Sequence, residues 1–314
     1  MNTCIIAVDI GATNLRAACL ENDGVIVSRS RGNTPHDGGA EAIVNAAVEM
    51  IRRVTPAKTD VRGICIGVPA PVDPQTGYID EASNLPALEG VSLLPLFVAH
   101  FSTPVAIRND AALATMGEHR YGAGRGVQNM AYVTISTGIG GGVIVGGRLM
   151  SGAGNYAGEI GELLMPSMSG DPFMPANLES LASGSAIAAA ATRALNDGEE
   201  SILRELAPNP AAVTSRIVAD AARRGDRLAL RILRTAATYI GFGIVDVIHL
   251  LNPERVVLGG GVMGSADLVM PVIRETVARF AMESSQRNFT IVEGTLGDDA
   301  GLLGGAAFYA TRDS

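Results

Sequence analysis

Three glycine-bearing signatures stand in one order along the chain, each where an apolar, strand-like run stops and the backbone must turn. Asp9-Ile10-Gly11-Ala12-Thr13 follows the run Cys4 to Val8, and Ser136-Thr137-Gly138-Ile139-Gly140-Gly141-Gly142 follows Met130 to Ile135. Leu258-Gly259-Gly260-Gly261-Val262 closes the run that begins at Arg255. Glycine lets main-chain N–H groups approach a phosphate closely, and a Ser or Thr hydroxyl adds a donor. One such loop alone is as readily a plain turn. Three together, with an aspartate in the first, imply a nucleotide site with two walls.

The spacing of apolar residues places these loops in an α/β chain. Cys4 to Asp9, Leu15 to Leu20 and Val25 to Ser30 read as a β-meander with the first loop in its first turn. A helix over 43–54, a strand over 61–68, a strand over 105–107 ending at Arg108-Asn109-Asp110, and a helix over 111–119 follow. The second half repeats the theme: strands at 130–135 and 142–145 flank the second loop, so a duplicated ββ-plus-helix core is expected. Helical patterns cover 185–195, 211–223 and 227–250, then a strand at 255–258, a helix over 266–282, a strand at 290–292 and a final helix near 300–310. Two α/β domains are expected, 1–112 and 113–299, with the last helix (300–314) packing back on the first.

Composition excludes several classes. Hydrophobic residues make up 47% and charged residues 18%, so a large core is available and disorder is not expected. The net charge of −8 has the wrong sign for a nucleic-acid surface, and the absence of tryptophan removes stacking platforms. The charge-free stretch after Arg125 is interrupted by polar residues and glycines, and no signal peptide is read at the N-terminus, so neither a membrane partner nor export is expected. Cys4, Cys19 and Cys65 have no close partner in sequence and no metal-type spacing, which suits buried, reduced thiols in a cytoplasmic protein.

With these pieces go Ser83-Asn84-Leu85-Pro86, Asn109-Asp110-Ala111, Gly158-Glu159-Ile160-Gly161, Leu178-Glu179 with Ser183-Gly184, and Asn252-Pro253-Glu254. In this order they resemble the ROK sugar kinases (repressor, open reading frame, kinase), from Asp9 to about Ala307. The resemblance implies the actin-like ATPase (ribonuclease H-like) fold, two α/β domains closing on ATP and a sugar, and often a homodimer. It implies an ATP-dependent hexokinase, glucokinase-like and acting at the 6-hydroxyl, with ATP and Mg²⁺ as cofactors.

Phosphoryl transfer needs neutralised phosphates, an aligned hydroxyl and a base to take its proton. Asp110, read as a helix N-cap, is the expected base. Asp9 is the expected partner of the Mg²⁺ hydration shell, since that ion keeps waters and one or two carboxylates. Gly11, Thr13, Thr137 and Gly138 are expected on the phosphates, and Gly260 and Gly261 against the adenosine. Ala12 stands where the family usually has a second glycine. Asn84, Asn109, Asp110, Glu159, Glu162 and Glu179 are the expected sugar-binding set, and His36, His100, His119 and His249 lie outside the matched motifs.

The family's zinc ligands, one His and three Cys, fall at Glu162, Gly170, Pro172 and Asn177, none a thiolate or imidazole donor. A zinc-free protein is expected, with Met165, Phe173 and Met174 packing the loop. Glu162 then either joins Glu159 and Glu179 on the sugar, favouring extra hydroxyl contacts or a cationic amino sugar, or points into solvent. Rival readings are a sugar sensor without catalysis, a repressor and a cytoskeletal or chaperone-type ATPase. The absence of a winged-helix segment argues against the repressor, the Asp9, Thr13 and Asp110 set argues against the sensor, and Asn109-Asp110 with the Glu159 and Glu179 pair, which a cytoskeletal or chaperone-type ATPase would not need, argues against the last.

Overall fold

The structure, a computed structural model, describes residues 3–57, 59–166 and 176–311. The chain forms two compact units, one of residues 1–126, 142–158 and 295–314, the other of residues 127–141 and 159–294. The elements in chain order begin with β1 (Thr3–Ile10), β2 (Asn14–Leu20), β3 (Ile26–Asn33), α1 (Gly39–Val54), β4 (Asp60–Val68), α2 (Leu93–Val98), β5 (Val105–Asn109) and α3 (Asp110–Tyr121). Next come β6 (Met130–Ile135), β7 (Ile139–Val145), β8 (Arg148–Leu149), β9 (Leu164–Met165), β10 (Ala176–Asn177), α4 (Leu178–Ala182), α5 (Gly184–Asn196), α6 (Leu203–Leu206), α7 (Ser215–Arg223) and α8 (Arg227–Leu251). The chain closes with β11 (Arg255–Gly259), α9 (Ala266–Phe280), α10 (Glu283–Gln286), β12 (Thr290–Glu293) and α11 (Ala300–Thr311).

The first sheet has the order β3-β2-β1-β4-β5. Strands β1 to β3 are antiparallel, while β4 and β5 run parallel to β1. β1 is covered on both faces, and so it reads as a continuous apolar run rather than an alternating one. One face packs on α1 through Ile43, Val44, Ala47 and Ile51, the other on α11 through Leu302, Leu303 and Ala306. β3 at the edge alternates half-buried and exposed positions.

The second sheet, read as β8-β7-β6-β11-β12, repeats the order of the first: third, second, first, fourth and fifth strand in sequence. Again the fourth and fifth strands run parallel to the first. The duplication faint in the sequence is therefore plain in the topology. The core of the second unit surrounds α8, whose Ile240, Ile244, Val247 and Ile248 are buried against β11 and α9 residues. Among the described residues α8 alone is long and apolar enough to cross a membrane, yet it is a mostly buried core helix.

Several boundaries differ from the sequence expectations. The first unit runs past residue 112 to Gly126 because α3 crosses α11 too closely to separate from it. At that crossing a side chain on Gly117 would lie 2.3 Å from the Ala300 carbonyl, and one on Gly304 would lie 1.9 Å from the Leu113 carbonyl. β7 starts at Ile139 rather than 142, since the Ser136 N–H donates to the Gly138 carbonyl and closes the second loop in a tight turn. The pattern over 211–223 splits because Thr214 caps α7 by accepting from the Ile217 amide. α2 was not anticipated.

Cys4, Cys19 and Cys65 are buried and free. The sequence shows no close pair, but the meander brings Cys4 and Cys19 within hydrogen-bonding range. Burial, with Cys19 beside it, pushes the Cys4 thiol up to about 12, and burial alone does the same for Cys65. Burial shields all three thiols from reagent and, for Cys4 and Cys65, also suppresses the reactive thiolate, so the native protein at pH 8 is expected to leave all three unlabelled by a thiol-disulfide reagent. Stoichiometric labelling should appear only on denaturation, and rapid labelling of the folded chain would contradict this packing.

Candidate active site

Asp9 lies near the carboxyl end of β1, directly opposite Arg16 on β2. The Arg16 guanidinium sits 3.3 Å from the Asp9 carboxylate and 3.0 Å from that of Asp298, just before α11. Burial raises the Asp9 pKa, and the Arg16 charge offsets only part of that cost. A largely buried carboxylate whose charge is under-compensated suits a hydrated divalent cation, so the donor set here fits Mg²⁺. The loop after Asp9 is closed by the Gly11 amide donating to the Asn14 carbonyl at 2.9 Å. Thr34, at the end of β3, donates its hydroxyl to the Gly11 carbonyl at 2.6 Å and its amide to the Thr13 carbonyl at 3.0 Å. Ala12 is not at positive φ, so the loop does not demand a second glycine there. The Thr13 side chain is exposed.

The parallel register sets the next group. Asp9 pairs with Gly67 on β4, and Gly67 pairs with Arg108 on β5. Asp110 therefore begins α3 at the same carboxyl edge of the sheet as Asp9. The helix cap is Asn109, not Asp110 as expected: its side-chain oxygen accepts from the Ala112 amide at 2.9 Å. An Asn with extended backbone does this well, which leaves Asp110 at the first helical position. There the Asp110 carboxylate accepts from the Ala111 amide at 2.7 Å and is half-buried. The Asn109 side-chain amide also donates to the Ala70 carbonyl at 3.3 Å. Asn84 is exposed in a turn ahead of a short 3-10 helix.

In the second unit the Ser136–Gly138 turn is gripped from three sides. The first amides of α5 donate to it, Gly184 to the Ser136 carbonyl at 2.7 Å and Ser185 to the Thr137 carbonyl at 3.3 Å. Glu179 of α4 accepts from the Ile139 amide at 2.7 Å, and its carboxylate fills the space beside Gly138, where a Cβ would meet it at 2.3 Å. Gly260, at φ 88°, presses on strand β6, where a Cβ would lie 2.4 Å from the Ile135 carbonyl. Gly261 opens a 3-10 turn through Ser265, and α9 follows only from Ala266. The third signature thus supports the second one directly.

Glu159 is half-buried just after Gly158, which has φ 100°. Burial, then the charges of Glu162 and Glu179, raise its pKa. The three carboxylates thus share one electrostatic neighbourhood. Glu162 is exposed, but it is not merely solvated: the Asn177 side chain donates to it at 3.0 Å. Two of the four positions aligned with zinc ligands therefore bond to each other. Gly170, Pro172, Phe173 and Met174 lie outside the described residues, while Met165 is buried in the core. Among the described residues no group of three or more His, Cys, Asp and Glu side chains could hold a metal, and an amide–carboxylate pair does not suit structural zinc.

Sequence reasoning missed Arg16 and Thr34. A turn centred on Ala12-Thr13 is enough to set residue 16 opposite residue 9, so the meander itself held the signal for Arg16. Thr34 comes from the far side of the meander and had none. A recess of about 420 Å³ in the first unit, lined by Asp73, Tyr78, Asp80, Asn155 and Tyr156 among others, contains none of the expected site residues.

Two outcomes are expected. Gly138→Ala forces the Glu179 carboxylate off the Ile139 amide, so turnover should fall at least about tenfold, the scale of one charge-assisted hydrogen bond with its buried donor left unmet; wild-type kinetics would refute the contact. For Asp9 the folded pKa is raised, so its contribution to stability is present below the unfolded value near 3.8 and lost as pH rises through the folded value. Asp9→Asn without ligands should therefore melt higher than wild type at pH 7, and the gap should close towards pH 4. A lower melting temperature at pH 7 would show that the Arg16 pair outweighs desolvation.

With this geometry in view, the ROK family model matches residues 5–312. A glucokinase of Halalkalibacterium halodurans is 33% identical over 307 residues, covering 96% of this chain and 93% of that protein. The bifunctional enzyme NanE/NanK of Brucella melitensis is 34% identical over 312 residues, covering 98% of this chain but 54% of that protein. Among solved structures, a ROK family glucokinase from Streptomyces griseus in complex with glucose and AMPPNP superposes with a TM-score of 0.83 at 30% identity, covering 98% of this chain and 99% of that one. The doubled five-stranded topology and the two α/β units are those of the actin-like ATPase fold, and the chain belongs to the ROK family.

Proposed function

We propose that the chain is an ATP-dependent hexose kinase that phosphorylates glucose or a close relative at the 6-hydroxyl, with Asp110 as general base. The observation that carries the reading is the register row Asp9, Gly67, Arg108, which sets Asp9 and Asp110 on one carboxyl edge of parallel strands. That edge is where open α/β sheets bind ligands. Asn109 takes over the capping duty, so the Asp110 carboxylate stands at the helix head as an acceptor able to take a hydroxyl proton.

Asp9 would hold the Mg²⁺ of the nucleotide through water, and that ion supplies neutralisation of the phosphate charge. The Gly11–Thr13 loop and the Thr137–Gly138 turn offer main-chain donors for phosphate, and Gly260 and Gly261 are assigned to the adenosine. Asn84, Asn109, Glu159 and Glu179 are assigned to the sugar. The glucokinase relatives support a hexose, and the glucose and AMPPNP of the Streptomyces griseus enzyme support both substrates. We take the enzyme to be cytoplasmic and homodimeric, without nucleic-acid or membrane partners. The buried free thiols support the first, the acidic charge supports the absence of nucleic-acid partners, and the family resemblance supports the dimer.

A second reading is a kinase for an amino sugar or N-acetylhexosamine; its free amino sugar form is favoured by one observation, that Glu159 sits beside two further carboxylates, which a cationic substrate would relieve and a neutral N-acetyl group would not. A panel of hexoses and hexosamines, with ADP release measured under saturating ATP and Mg²⁺, separates the two. Sugar-dependent release is expected, and Asp110→Asn should lower it by about 10²-fold or more while ATP still binds. Near-normal turnover in that variant would remove Asp110 from the mechanism, and release indifferent to every sugar would overturn the kinase. Metal analysis of the purified protein is expected to show no stoichiometric zinc.

A further inference from the structure

Glu162 and Asn177, 15 positions apart in the sequence, meet through their side chains. The Glu162 carboxylate accepts from the Asn177 side-chain amide at 3.0 Å. With its other side-chain atom Asn177 caps α4, accepting from the Ser180 amide at 2.9 Å, and its carbonyl accepts from the Ser180 hydroxyl at 2.8 Å. The same join carries the β9–β10 ladder, Asn177 opposite Leu164, and the Leu178 amide donating to the Leu163 carbonyl at 2.9 Å. Two residues beyond Asn177 comes Glu179, whose carboxylate anchors the Ile139 amide and fills the space beside Gly138.

These bonds form one chain from Glu162 through Asn177 and the head of α4 to the phosphate turn. α4 is only five residues long, too short to hold its own direction, so its cap and the contact behind the cap set where Glu179 points. We infer that Glu162 is a positioning residue, which clips Asn177 and thereby holds the Glu179 carboxylate on the Ile139 amide of the phosphate turn. Glu162 then influences the sugar and the phosphates through the backbone rather than by reading a hydroxyl, an assignment that rests on the kinase reading only for its effect on turnover.

The test is a double-mutant cycle on the whole protein. Asn177→Asp keeps the oxygen that caps Ser180 but removes the donor and sets two carboxylates against each other. Glu162→Gln keeps an acceptor oxygen. In the double variant the Gln amide can donate to the Asp carboxylate, so the bond re-forms in the reverse direction. Two readouts are taken: amide exchange of the peptide covering 136–142, which needs no activity, and kcat/KM for the best hexose.

Asn177→Asp is expected to speed exchange in that peptide and to lower kcat/KM by about tenfold, the scale of one charge-assisted hydrogen bond. Glu162→Gln should fall between it and wild type, and the double variant should recover most of both losses. Equal exchange in all four proteins, or a double variant no better than Asn177→Asp, would overturn the inference. So would a Glu162→Gln loss in kcat/KM with exchange unaltered, because that would place Glu162 directly on the sugar. If wild type phosphorylates no sugar, the exchange series still decides the clip, and only the kinase reading fails.

Discussion

A carboxylate largely shielded from solvent near the end of the central strand β1 is the feature around which the first unit is arranged. Asp9 gains part of its compensation from Arg16, which the β1–β2 register sets directly opposite. Arg16 in turn is held by Asp298 at the head of the C-terminal helix. That helix packs on the same strand through Ala306 and Leu303, so the ends of the chain meet at the acid. A fold optimised for stability alone would have placed an apolar residue here. Keeping the charge leaves the acid only partly compensated by Arg16, which is the condition that the proposed role beside a nucleotide-bound magnesium ion requires.

The second unit solves a different problem, the rigidity of a short turn. Inside its three residues one backbone bond runs from the Ser136 amide to the Gly138 carbonyl, and the remaining support comes from outside. Helix α5 grips the carbonyls, Glu179 grips the next amide, and Gly260 brings β11 against the strand that leads in. Such outside support is what preorganised donors need if they are to act without rearranging during the reaction. The repeated strand order of the two sheets shows one plan used twice: the first turn of each is the one proposed to face phosphate, but only the first copy has an acid, Asp9, at the end of its leading strand before Ile10.

Much of this was legible in the residues. The continuous apolar run of β1, the meander and the long helix α8 follow from periodicity, and the glycine signatures mark the turns on their own. The family resemblance named the fold. What the sequence hid were relations set by tertiary contact. Asp110 looked like a cap because Asp caps helices well, yet the cap is its neighbour Asn109, chosen by the extended backbone at the end of β5. The unit boundary looked to fall at residue 112, but small residues on α3 and α11 weld those helices together, and no local pattern reports a partner nearly two hundred residues away. Glu162 looked like a residue for sugar or solvent, because its amide partner lies beyond a stretch whose path periodicity does not describe.

The central claim is that this chain moves a phosphoryl group from ATP to a hexose hydroxyl, and a phosphorus spectrum of the running reaction tests it most directly. With protein, ATP, Mg²⁺ and glucose, the account predicts a growing sugar-phosphate resonance split by two equivalent-position protons, as for an ester at C6, in step with ADP. Inorganic phosphate growing in its place, or an ATP spectrum that does not change with any hexose or hexosamine, would contradict it.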